Sequence, residues 1–331
     1  MNENILTGIK PTGIAHLGNY FGAIKPAIEL TKHKNNDKFY YFIADYHALT
    51  TIKDAEKLKQ HSREIAAVWL ACGLNPKQVV FYKQSKVPEI FELQTILSNV
   101  TPKGLMNRAH AYKAQVDKNI ENKKDEDSDI NMGLYNYPIL MASDILLFNT
   151  KKVPVGADNR QHIEMARDIA KAFNKNFKKS LVVPRELIKD DVAIVKGLDG
   201  RKMSKSYNNV IELFASEKEL HNKIKKIKTD STPPKQPKDP NCTLMDIYKL
   251  FANEQQINTL KNELQKGISW AKAKDIVFND LNEYLKPMRE KYNYYINNPE
   301  KIDKILERGS KKARKIAKQT LDRVKQNIGV K

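Results

Sequence analysis

Ile5-Leu6-Thr7-Gly8-Ile9, followed by Pro11-Thr12-Gly13-Ile14-Ala15-His16-Leu17-Gly18-Asn19-Tyr20, reads as a short strand that passes through a turn into a helix. Gly8, near the strand's end, carries no side chain and lets a ligand approach the backbone. His16 and Asn19 flank Gly18 where the helix begins. Unpaired backbone N–H groups and the helix dipole favour phosphate there, and the imidazole and amide add donors. No G-x-x-x-x-G-K-[ST] string occurs, so this is not a Walker loop. The spacing of Tyr20, Ile24, Ala27 and Leu30 predicts a helix over 18–33.

Strand and helix continue to alternate outward from this stretch. Phe39 to Ala44 is a continuous apolar run, typical of a strand buried on both faces. A helix is predicted over 54–72, ended by Gly73-Leu74-Asn75-Pro76. Val79-Val80-Phe81-Tyr82 reads as another buried strand and 87–97 as another helix. Val153-Pro154-Val155-Gly156 resumes the strand pattern, Asp158 caps the helix after it, and a last strand is predicted near Val192-Ala193-Ile194-Val195. This alternation implies an α/β fold: a Rossmann-like parallel sheet with right-handed crossovers. Residues 101–149 interrupt it as a helical insertion containing the polar loop 121–129. Beyond Thr229 a proline-rich connector, 232–240, leads into segments that are all helix-like. The expected division is a catalytic domain over 1–215 and a helical domain over 216–331.

A second candidate phosphate site is Gly200-Arg201-Lys202-Met203-Ser204-Lys205-Ser206. Lys202 and Lys205 can stabilise charge that grows on a leaving pyrophosphate. Gly197 and Gly200 are expected to make the loop mobile, so that it closes on substrate. Asp144 stands out for a different reason. It lies between Met141 and Ile145-Leu146-Leu147, and a carboxylate in such a run needs a partner or a shifted pKa. The residues alone leave two accounts open: an ion pair inside the protein, or an acceptor for a donor-only group such as an indole N–H.

Composition narrows the class. The chain has 331 residues, 40% hydrophobic and 29% charged, with a net charge of +19. That balance predicts a globular protein, and the positive excess suits either a polyanionic partner, because neutralised phosphates release counterions, or a lysine-rich surface that is merely solvated. No apolar run approaches a bilayer span, and Met1-Asn2-Glu3-Asn4 has no export-signal character. Cys72 and Cys242, the two cysteines, fit a reducing compartment and make neither a disulfide framework nor a thiolate metal site. No protein-held metal is expected.

His16-Leu17-Gly18-Asn19 and Lys202-Met203-Ser204-Lys205-Ser206 resemble the two signature motifs of class I aminoacyl-tRNA synthetases. The first is usually written H-I-G-H; the second is matched letter for letter. Within that family the chain is most similar to the tryptophan-activating branch. The supporting segments are Gly8-Ile9-Lys10-Pro11-Thr12-Gly13, residues 137–146, Val153 to Asp158 with Gln161-His162, and Thr229-Asp230-Ser231. The strong motifs run from Ile5 to Ser231, and helical character continues the match to the end.

The resemblance implies a reaction with ATP and Mg2+ that joins L-tryptophan to tRNA(Trp), in a cytoplasmic homodimer whose insertion forms the interface. It implies catalytic roles for His16, Gly18, Asn19, Lys202 and Lys205. ATP would be bordered by Gly8, Lys10, Pro11, Thr12, Gly18, Asn19, Gly156, Ala157, Asp158 and Ile194, and by Lys202, Met203, Ser204, Lys205 and Ser206. Asp144 would accept the indole N–H. Leu6, Met141, Val153 and Val155 would form apolar walls, and His47, Tyr137 and Gln161 would be candidates for the rest of the amino acid. Many members carry glutamine where Lys10 stands and glycine-glutamate-aspartate-glutamine where residues 156–159 stand. Lys113 is either a phosphate contact or a solvated lysine. The basic last helix, with Lys311, Lys312, Arg314, Lys315, Lys318, Arg323 and Lys325, would reach the anticodon region. A tyrosine-activating relative and a non-catalytic RNA-binding paralogue remain the alternatives.

Overall fold

A computed structural model describes residues 3–11, 13, 15–32, 37–154, 156, 160–187 and 194–331. Five parallel strands form one sheet in the order β3-β2-β1-β4-β5. They are β1 (Asn4–Ile9), β2 (Lys38–Ile43), β3 (Val79–Lys83), β4 (Lys152–Pro154) and β5 (Arg185–Leu187). β1 lies along the whole of β2, from Asn4 beside Lys38 to Ile9 beside Ile43. β2 continues in step with β3, from Phe39 beside Val79 to Ile43 beside Lys83. The fifth strand differs from expectation. It is Arg185–Leu187, a charged tripeptide paired with β4 alone. Ile194 and Val195 belong to no strand, and Val192 and Ala193 lie outside the described residues.

Side chains alternate between the two faces with period two. Ile5, Phe39, Tyr41, Ile43, Val79 and Phe81 enter one apolar cluster. Leu6, Tyr40, Phe42 and Tyr82 enter the other. On the first face packs α4 (Ala55–Ala71), whose N-cap Asp54 accepts the Lys57 N–H. On the second pack α5 (Glu89–Ser98), α8 (Met132–Leu147) and α9 (Arg160–Asn176). The insertion consists of α6 (Lys103–Met106), α7 (His110–Glu121) and α8. The helix expected over 18–33 is three pieces: α1 (Leu17–Asn19), a π-helical turn at Tyr20–Ile24, and α2 (Lys25–Leu30). Such turns often stand beside functional sites.

The C-terminal part comprises α10 (Glu217–Lys225), α11 (Thr243–Tyr248), α12 (Glu254–Gln265), α13 (Trp270–Asn297) and α14 (Pro299–Asn327). It shares a core with the sheet: Leu244, Leu281 and Ile302 lie in the same cluster as Tyr41 and Trp69. α14 wraps the open edge of β3. Leu306 belongs to the first face and Ala313, Ala317 and Leu321 to the second. Gly309 makes the crossing possible, since a Cβ there would lie 1.7 Å from the Phe81 carbonyl oxygen. A covered edge strand is protected from pairing with other chains. The helix is also anchored by charge. Arg314 holds the buried Glu89 through Nε at 3.0 Å and through Nη2 at 2.9 Å. Lys325 pairs with Glu92, and Arg323 donates to the Ser180 carbonyl and Asn149.

Candidate active site

In an open parallel sheet, ligands bind beyond the carboxyl ends of the strands, where strand order reverses. Here that point lies between β1 and β4. A cavity of about 570 Å³ opens there, lined by Gly8 near the end of β1 and Lys10 after it, Ala44 and His47 after β2, Pro154 at the end of β4 and Gly156 after it, and Leu187 of β5. α8 supplies one wall. Tyr137, Met141, Asp144 and Ile145 line the cavity, and their spacing of four, three and one puts them on one helical face. Leu6 and Val153 complete the apolar side.

Asp144 is fully buried, and its partners among the described residues are not cations of the lysine or arginine type. Gln84 Nε2 donates to both carboxylate oxygens at 2.9 Å, and His47 Nε2 lies 2.9 Å from Oδ2. Burial pushes the Asp144 carboxyl above its usual range, while His47 and Gln84 pull it down. His47 is therefore both a satisfied buried histidine and a cavity wall. The Tyr137 hydroxyl bonds His162 Nε2, and its ring meets that of His47 edge-on at 5.6 Å. Burial raises the Tyr137 hydroxyl well above its ordinary pKa, so it stays protonated.

The two signature segments meet, although they lie nearly two hundred residues apart in the chain. Leu17 N–H donates to the Ile211 carbonyl and Leu213 N–H to the Ala15 carbonyl. Gly18 N–H points at the Met203 sulfur, 3.3 Å away. Met203 is thus the buried anchor of the lysine loop. The Lys205 ammonium lies 3.5 Å from the position a Cβ on Gly13 would occupy. His16 is buried, and its Nδ1 has no hydrogen-bond partner among the described residues. Burial, followed by the nearby Lys205 charge, pushes the His16 imidazole down to about 4, against a smaller opposing pull from Glu212. It is neutral at pH 7 and able to donate one N–H. The Lys202 side chain is exposed. Burial lowers the Lys205 ammonium from its ordinary range, opposed by Glu64. The Ser204 and Ser206 hydroxyls bond each other at 2.8 Å.

Asn209 organises the loop from behind. It accepts from Ser204 N–H and donates to the Lys202 carbonyl and Asp199. Gly197 packs on Asn209, with a Cβ there only 2.4 Å from its amide, and Gly200 has φ +84. These glycines provide close approach and a left-handed turn. Gly8 likewise makes room for the Phe42 ring, 2.5 Å from a Cβ.

Some expected residues stand elsewhere. Gln161 lies outside the cavity lining, and its amide joins the Arg108 carbonyl to His110 N–H. Ile194 is 70% exposed. Lys10 lines the cavity and donates to Thr50, and burial lowers its ammonium. Pro11 and Asn19 are described, and Asn19 accepts from His16 N–H. Thr12, Val155, Ala157, Asp158 and Asn159 lie outside the described residues. Gln84 and Asn209 were not singled out from the sequence. Among the described residues no group of three or more His, Cys, Asp or Glu could hold a metal ion, and no helix is long and apolar enough to cross a membrane.

Residues 2–287 match the family model described as tRNA synthetases class I (W and Y). A tryptophan–tRNA ligase from Pseudomonas syringae is 48% identical over the whole of this chain and 74% of its own length. One from Neisseria meningitidis is 44% identical over 99% of this chain and 98% of its own. The tryptophanyl-tRNA synthetase of Campylobacter jejuni, solved with ADP and tryptophan, superposes with a TM-score of 0.91 at 43% identity, covering 98% of this chain and 99% of that one.

Proposed function

The chain belongs to the class I tRNA synthetases for tryptophan and tyrosine, and from that membership we infer that it ligates L-tryptophan to the 3′ end of tRNA(Trp) with ATP. The observation that carries the tryptophan assignment within the site is Asp144. It is a fully buried acceptor on the wall of an apolar cavity that runs to the carboxyl end of β1.

The reaction has two steps. The indole lies between Leu6, Met141 and Val153 with its N–H on Asp144. The substrate carboxylate attacks the α-phosphorus of ATP, giving tryptophanyl-adenylate and pyrophosphate. The terminal ribose hydroxyl of the tRNA then takes the aminoacyl group. No protein nucleophile is required. Positioning and charge stabilisation supply the rate, with His16 and the Gly18–Asn19 helix start on one side of the phosphates and Lys202 and Lys205 on the other. The nucleotide enters as its magnesium complex, the ion held chiefly by phosphate oxygens.

For tRNA, the last helix offers fewer cations than its sequence suggests. Arg314, Arg323 and Lys325 anchor it to the catalytic part and Lys311 pairs with Glu307. Lys312, Lys315 and Lys318 are exposed and form no salt bridge among the described residues, so they are the phosphate contacts we assign to the region 216–331. The homodimer is read onto the insertion, where Ile120 and Met132 are 54% and 66% exposed; light scattering in solution tests it. A cytoplasmic location accords with two unpaired cysteines.

Tryptophan-dependent ATP–pyrophosphate exchange tests the function. Exchange with tryptophan and not tyrosine is expected. Exchange with tyrosine alone would move the chain to the other branch, and exchange with no amino acid would make it a non-catalytic paralogue.

A further inference from the structure

We propose that Gln84 is a positioning and specificity-determining residue, which fixes the Asp144 carboxylate so that Oδ1 keeps one acceptor position for the substrate N–H. The inference rests on the reading of Asp144 above and deepens it.

An ionised carboxylate offers about four acceptor positions. Oδ2 receives Gln84 Nε2 and His47 Nε2, both at 2.9 Å, whereas Oδ1 receives Gln84 Nε2 alone. The open position is therefore on Oδ1. The orientation of the Gln84 amide is itself determined. Its Oε1 accepts Tyr46 N–H at 3.1 Å, so Nε2 must face the carboxylate. The turn carrying Gln84 is clamped to the same short helix, α3 (Asp45–Ala48), that carries His47. Ser85 N–H donates to Asp45 Oδ1 at 3.0 Å, and Lys83 pairs with Asp45 Oδ2 at 3.4 Å. Register explains the clamp. Ile43 stands beside Lys83 in the sheet, so the chain leaving β2 and the chain leaving β3 emerge side by side.

Gln84 and Asp144 are both 0% exposed, so no water replaces a lost amide donor. Gln84 donates to both oxygens, and with the His47 tautomer that carries its proton on Nε2 the carboxylate is left as an acceptor only. It then rewards a substrate that brings an N–H and penalises one that does not.

The test compares kcat/KM in pyrophosphate exchange for tryptophan and for 3-(benzothiophen-3-yl)alanine, in which sulfur replaces the indole N–H. Gln84→Met removes the donor at similar volume. The expected result is a loss of about ten- to hundredfold in preference for tryptophan, carried by KM for tryptophan, with KM for ATP unchanged. Asp144→Asn is measured in parallel. If Gln84→Met keeps the wild-type preference while Asp144→Asn loses it, the proposal is overturned and the role of Asp144 stands. If Asp144→Asn also keeps it, the role of Asp144 falls as well. Urea unfolding of Gln84→Met guards against misfolding: a variant that is folded over the assay range and still keeps the full wild-type preference would overturn the proposal.

Discussion

At the indole end of the cavity the groups that bond Asp144 are wired to one another, although the nearby buried Tyr82 hydroxyl is not; at the nucleotide end several are not. Asp144, Gln84, His47 and the Tyr46 amide form a closed set, each engaged by the next. Across the site, His16 Nδ1 and Thr7 Oγ1 are buried without partners among the described residues, and the Lys202 side chain stands exposed. The difference follows from the two tasks. Reading a neutral N–H needs an acceptor already oriented before the substrate arrives, since a loose one would lose its selectivity. Stabilising charge that develops during reaction needs donors not already satisfied in the resting protein.

The largest expected effect comes from breaking the wired end. Asp144→Ala removes the acceptor and leaves the Gln84 and His47 donors without it. The kcat/KM for tryptophan should fall by roughly two to four orders of magnitude, and discrimination against phenylalanine should collapse with it. Exchange kinetics with both amino acids check this. Unchanged discrimination would mean that the indole is read elsewhere.

The open end should respond differently. Lys202→Ala and Lys205→Ala should each lower kcat for adenylate formation by about ten- to a thousandfold and leave KM for tryptophan within about twofold. Single-turnover kinetics separate the two parameters. A large rise in KM for tryptophan would merge the two ends into one binding unit and defeat the contrast.

How much of each end could be read in advance follows the same division. Asp144 was visible because a charge inside an apolar run is an anomaly. Both phosphate segments were visible as strings of donors with glycine. Gln84 gave no such signal. An amide after a strand is unremarkable until β2 and β3 are known to run in register, which brings residue 84 beside α3. Asn209 escaped notice for the same reason: its value lies in three bonds to the lysine loop and its surroundings, none local in sequence pattern. β5 was missed because three residues, two of them charged, carry no hydrophobic period. The π-helical turn at Tyr20–Ile24 was missed because its apolar spacing also suits an ordinary helix.

His16 permits a test of the open end without substrate. Its imidazole falls from 6.5 to about 4 on folding, so the unfolded chain binds more protons between those values. Stability should therefore be fully present above about pH 6.5 and decline as pH falls toward 4, by no more than about 3 kcal/mol from this group. Urea unfolding across that window should show a shallower decline in His16→Asn. An identical slope in the variant would mean that His16 is not held neutral by its surroundings, and the unpaired Nδ1 would lose its significance.

The smallest effect should come from Tyr137, at the wired end. Its hydroxyl bonds His162 rather than pointing unpaired into the cavity, and its ring supports His47. Tyr137→Phe keeps the ring and loses one hydrogen bond, worth about 1 kcal/mol. KM for tryptophan should rise by about fivefold and kcat should hold. A residue that contacts the substrate ammonium directly would behave otherwise, because its removal leaves a charge undersolvated in a confined site. A rise in KM of a hundredfold or more would assign Tyr137 to the amino acid itself. It would also show that His162 releases the hydroxyl when substrate binds, so that the wired end is less fixed than its hydrogen bonds imply.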